Sequence, residues 1–149
     1  MEIDILSTLT FDVNFPLSYS FLRRYSRCGS SNMETLTLAR YVLEASLLCY
    51  PLIDELDSKI SAASLLLANR MQKITPSWSP TLAFYSGYSE NQLEYLVKDL
   101  NRFITKISLA NFKKNKSESK DMNILGENIF VKYSDRVFFK VARIHPLPL

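Results

Sequence analysis

Ser58-Lys59-Ile60-Ser61-Ala62-Ala63-Ser64-Leu65-Leu66-Leu67-Ala68 is the stretch on which the fold turns. Its small residues let neighbouring helix axes approach closely and its leucines leave little polar face, so it predicts a helix at the centre of a bundle. Asp57 is expected to cap that helix, which should run to Gln72. Just beyond, Ser79-Pro80 combines an N-cap hydroxyl with proline at the first helical position, and Gly87 supplies the stop of a short helix.

A central helix needs others around it. Leu93, Leu96, Val97, Leu100, Phe103, Ile104 and Ile107 recur at helical spacing, with Glu94, Lys98, Asp99, Arg102 and Lys106 on the opposite side. This is an amphipathic helix of about five turns. Ser89 with Gln92 forms a capping box at its start, and Glu94 with Lys98 is an i,i+4 pair. Ser31 with Glu34 makes a second capping box ahead of Leu36 to Cys49, a helix apolar on so much of its circumference that it must be largely buried; Pro51 ends it. Pro16 to Arg27 reads as a further helix closed by Gly29. Ile129 to Tyr133 predicts a helical turn or two. The β-prone run Val137-Phe138-Phe139-Lys140-Val141 has no partner strand, so it predicts an extended tail packed over the bundle. The polar segment from Lys113 to Asp121, within 111–127, is expected to be a mobile loop. The fold class is all-α: a five-helix bundle around a central helix, with an extended C-terminal tail.

The chain has 149 residues, 47% hydrophobic and 22% charged, which suits one ordinary globular domain. No apolar run reaches the roughly 20 residues of a membrane span, and Met1-Glu2-Ile3-Asp4 puts acid where a secretory leader carries base; no membrane partner is expected. Cys28 and Cys49 are too few for a disulfide framework and read as small hydrophobes. A net charge of +3 falls short of the clustered basic face that nucleic-acid binding needs. Catalysis has no footing: the single His145 sits between Ile144 and Pro146, no Cys/His cluster has metal spacing, and three glycines make no phosphate loop. No catalytic residue, metal ligand or cofactor site is expected. Thr75-Pro76 and Ser79-Pro80 are minimal proline-directed phosphorylation dipeptides, Ser79 being explained equally by helix capping.

These pieces occur in an order that resembles a B-type cyclin, most like the third class of animal B-type cyclins. Phe21-Leu22-Arg23-Arg24, Thr37-Leu38-Ala39-Arg40-Tyr41, the 58–68 helix, Trp78-Ser79-Pro80-Thr81-Leu82 and Tyr85-Ser86-Gly87-Tyr88 resemble the C-terminal cyclin box. Lys132-Tyr133-Ser134 and Phe138-Phe139-Lys140-Val141-Ala142-Arg143-Ile144 resemble the closing segment of that family. Residues 1–15 resemble the last helix of the N-terminal box and its linker, leaving 16–149 as the C-terminal domain; the 113–126 region is longer than the family pattern.

The resemblance implies a non-catalytic regulator that binds a cyclin-dependent Ser/Thr kinase in the mitotic cell cycle, in nucleus and cytoplasm with the nucleus favoured. In that family the third and fifth helices of the N-terminal box push the kinase's mobile regulatory helix into its active position. Only the fifth has a counterpart here. By resemblance Glu2 matches the carboxylate that meets the kinase, and Leu6, Phe11 and Val13 match apolar residues facing the regulatory helix. The partner lysine and the substrate-docking patch have no match, so these residues are expected to be a fragment unable to activate a kinase alone. The competing reading is a cyclin-fold interaction module of a transcription or nucleic-acid-binding complex. It requires a basic stripe on one helix face, and none is expected from these helices.

Overall fold

The computed structural model describes residues 1–12, 16–114 and 126–148, with the backbone alone for 112–114. Seven α-helices occur among the described residues: α1 (Glu2–Thr8), α2 (Ser18–Cys28), α3 (Met33–Ser46), α4 (Asp57–Met71), α5 (Pro80–Ser86), α6 (Glu90–Lys114) and α7 (Glu127–Tyr133). Helix α4 is the hub, packed by α2, α3 and α6. Every residue from Ser61 to Asn69 is buried, so the small-residue stretch occupies the centre it predicts.

The helices end where local chemistry allows, but several caps differ from expectation. Asn32, not Ser31, caps α3: its side-chain oxygen accepts the Thr35 N–H at 2.7 Å. The cap is displaced by one residue and the reciprocal bond of a box is not formed: an Asn carboxamide caps as well as a serine hydroxyl, and the Thr35 hydroxyl donates to Gln72 instead. Asp57 is not an N-cap either. That place belongs to Leu56, and the Asp57 carboxylate instead accepts the Ser18 hydroxyl, joining α4 to the first turn of α2. Ser61 strengthens the same junction by donating to the Ser18 carbonyl at 2.5 Å. Helix α3 stops at Ser46, ahead of Pro51, which lies in a separate 3-10 turn over Tyr50–Leu52.

The short α5 follows its sequence closely. Ser79 accepts the Leu82 N–H at 3.2 Å, Pro80 occupies the first turn, and Gly87 closes the helix at φ 76° in the left-handed region. Gly29 is required for a different reason. Its φ is −84°, ordinary for any residue, but a Cβ there would stand 3.1 Å from a Leu82 methyl, so the missing side chain lets α2 meet α5. Trp78 anchors the segment through its indole N–H, which donates to the Tyr88 carbonyl at 2.9 Å.

On α6, Leu93, Leu96, Val97, Leu100, Ile104 and Ile107 are buried as the spacing predicts. The helix is longer than the apolar repeat, since 111–114 continue it rather than opening a loop. At the other end of the expected loop Gly126 and Glu127 already form the turn and first residue of α7, and residues 115–125 lie outside the described residues. At the start of α6 the Gln92 side chain accepts the Ser89 N–H at 2.9 Å, the reciprocal half of the expected box. Glu94 pairs with Arg70 of α4 at 2.7 Å rather than with Lys98, and Glu90 joins it at 2.9 Å. A guanidinium fixed on the hub helix is a better partner than a mobile lysine on the same surface. The Arg70 guanidinium holds the Glu94 carboxyl below its usual range.

After Gly126, at φ 80°, α7 docks on α3 and α6. A Cβ on Gly126 would reach within 2.9 Å of Ile107, so glycine serves both the turn and the close approach here. Glu44 of α3 accepts from Lys132 and from the Tyr133 hydroxyl, each at 2.8 Å. The tail crosses the bundle as expected, but its β-prone run coils into 3-10 turns at Arg136–Phe138 and Val141–Arg143. Phe139 and Lys140, both at positive φ, turn the chain so that Val141 and Ala142 are buried. Asn101 then clasps the tail, donating to the Leu147 carbonyl and accepting its N–H, both at 3.0 Å.

Candidate partner-binding surface

The four residues singled out by resemblance lie on or just after α1. Glu2 and Asp4 place carboxylates in the first turn, where the helix dipole favours negative charge. Asp4 also pairs with the Met1 ammonium at 2.8 Å. The helix stops in a reversal: Thr10 and Phe11 have φ of 53° and 57°, and the Phe11 N–H donates to the Leu6 carbonyl at 2.8 Å, the six-to-one bond of a Schellman-type ending.

The structure brings three of the four together. Glu2 and Leu6 are one turn apart on one helix face, and the terminal hydrogen bond returns Phe11 to Leu6. Val13 lies outside the described residues. Glu2 is exposed, Leu6 half-buried, and Phe11 64% exposed. No residue of α1 is buried.

Three more apolar residues, which the residue matching passed over, share this exposure. Ile3, Ile5 and Leu9 are 73, 54 and 50% exposed. The signal lies in the sequence: three of the seven residues of α1, Ile3, Ile5 and Leu6, are apolar and do not fall on one narrow stripe. A short helix whose apolar residues are largely uncovered is an arrangement suited to contact with another surface. Among the described residues no group of three or more His, Cys, Asp or Glu could hold a metal ion. No described helix is long and apolar enough to cross a membrane.

The helices are less evenly charged than the sequence reading expects. Helix α2 contains Arg23, Arg24 and Arg27, all exposed, and no acidic residue. One basic helix face therefore does exist, missed because the arginines follow one another through a segment read for its apolar spacing. Tyr19 lies under two guanidinium groups, Arg23 at 6.0 Å and Arg40 of α3 at 5.3 Å from the ring centroid.

Against known proteins, residues 16–147 match the family model described as "Cyclin, C-terminal domain". The whole chain is 44% identical over 149 residues to a human (Homo sapiens) protein named G2/mitotic-specific cyclin-B3, covering 10% of that protein. It is 43% identical over 149 residues to a chicken (Gallus gallus) protein of the same name, covering 33% of it. A Drosophila melanogaster protein of that name is 37% identical over 149 residues, with 97% of this chain and 24% of the relative aligned. The chain spans between a tenth and a third of the length of these relatives.

Proposed function

Because the chain belongs to the cyclin family, as a cyclin C-terminal domain over residues 16–147, we propose that it serves as the non-catalytic regulatory part of a cyclin-dependent Ser/Thr kinase complex in mitosis. The observation that carries this reading is α1: a helix with no buried residue, ahead of a fully packed domain, presenting Glu2 beside Leu6, with Phe11 folded back toward it. Glu2 supplies a charge to orient the kinase, and Leu6 and Phe11 supply apolar anchors for its regulatory helix. Val13 extends the same contact in this reading, and residues 1–15 are the end of a preceding cyclin box. The complex works in nucleus and cytoplasm, foremost in the nucleus.

The supporting physics also sets a limit. Affinity resides in a few desolvated anchors surrounded by a sealed rim, and association must first offset lost rotational and translational freedom. The few anchors on and just after one short helix fall below that threshold. The 149 residues are thus expected to bind a kinase weakly and not to raise its activity, whereas the same residues joined to an upstream B-type N-terminal box should do both. Kinase assays on a generic substrate test this. Full activation by the 149 residues would refute the division of labour, and no activation by the joined protein would refute the kinase reading. The arginines of α2 do not revive a nucleic-acid module, because three side chains on one helix are a small part of the clustered basic footprint that phosphate binding uses.

A further inference from the structure

Between the start of α2, the second half of α3 and the end of α7 lies an open groove of about 480 Å³ that the kinase contact leaves free. Leu43 and Tyr133, both buried, form its floor, while exposed Leu17, Tyr19 and Leu47 form its rim. Two carboxylates in its walls are already satisfied: Asp57 by the Ser18 hydroxyl, and Glu44 by Lys132 and Tyr133. Arg40, also in the wall, is not. Its guanidinium stands over the Tyr19 ring, and among the described residues no carboxylate comes within 4.0 Å of it or of Arg23.

We propose that this groove docks a short linear segment of a partner protein, one that places a bulky apolar side chain on the floor and a neighbouring carboxylate on Arg40. The volume lies within the roughly 300–1,000 Å³ of ordinary binding clefts, enough for one or two side chains and too little for a globular surface. The charge decides the partner. A carboxylate would complete the planar fork that Arg40 presents, whereas a basic segment would meet Arg40 with Glu44 and Asp57 already occupied. Tyr19, held under Arg40, keeps the fork in place before anything binds, which lowers the ordering cost. This inference does not rest on the kinase contact, which involves α1.

The test is selection from a short-peptide display library on the immobilised 149-residue chain, with winning peptides synthesised for fluorescence anisotropy. Winners are expected to pair Leu, Ile, Phe, Met or Trp with Asp or Glu. They should bind Arg40→Glu and Leu47→Asp at least about tenfold more weakly, as loss of a docking anchor implies. Arg24→Glu, outside the groove, should leave binding unchanged. Thermal melts check folding, and Arg40→Gln with Leu47→Ser replaces any variant that fails. Basic winners, no enrichment over a blocked surface, indifference to both groove variants, or an equal loss with Arg24→Glu would each overturn the proposal. So would concentration-dependent dimerisation of the chain that Leu47→Ser abolishes, which would give the groove to a second copy.

Discussion

Ala63 has no exposed surface at the middle of the hub helix, with α2, α3 and α6 packed around that helix. Ala63→Leu adds volume where the neighbours cannot retreat, so it is expected to cost about 1–3 kcal/mol or more, read as a lower midpoint in urea. An unchanged midpoint would mean that this face of α4 is loosely packed. Tyr41 shows a different strain. Its ring is 1% exposed and its hydroxyl, near that of Ser108, makes no well-formed hydrogen bond among the described residues; burial pushes its pKa up to about 12, with Ser108 acting in the lowering direction. The sign follows directly: with the folded value raised above the unfolded value of about 10, the neutral form is favoured in the fold. Stability is complete below about pH 10 and is lost as pH rises toward 12. Tyr41→Phe removes that proton and an unpaired polar atom together. It should be near neutral or stabilising at pH 7 and should reduce the alkaline loss, as melts across pH 8 to 11 would report. A variant strongly destabilised at pH 7 would show that the hydroxyl is paired in solution.

At the scale of elements, the cap of α3 offers a direct contrast. Asn32→Ala should cost about 0.5–2 kcal/mol, because a first-turn N–H loses its acceptor, while Ser31→Ala should change little. Denaturant midpoints of the pair decide which residue caps the helix. This comparison also marks what was legible in the sequence. Periodicity exposed α6 and α4, because Leu93 to Ile107 and Ala62 to Ala68 carry their burial in their own spacing. Position along the chain did not reveal Asp57 bonded to Ser18, or Glu94 bonded to Arg70, since each partner lies on another helix. The tail departs from its local expectation for the same reason. Its β-branched and aromatic residues suit a strand, but with none to join, burial of Val141 and Ala142 coils it into turns. On and just after α1, the family resemblance points to Glu2, Leu6 and Phe11 and not to Ile3, Ile5 and Leu9; the crowding of apolar residues there is legible in the sequence, but their exposure is seen only once the rest of the domain is packed without them.

Over the whole molecule the two halves differ in kind. Residues 16–148 contain a core that closes on itself, sealed by the tail through Asn101 and Leu147. Helix α1 adds nothing buried to that core; it leaves Ile3 and Ile5 exposed and Leu6 half-buried. In the function proposed above, stability belongs to the domain and kinase contact to α1. The most direct test is the affinity of a cyclin-dependent kinase for this chain joined to an upstream B-type N-terminal box, with and without Glu2→Ala plus Leu6→Ala. The double variant should melt at the same temperature and bind more weakly by about 2 kcal/mol or more for each anchor. Undiminished binding by the folded double variant would contradict the account, because α1 would then not be where the kinase is held.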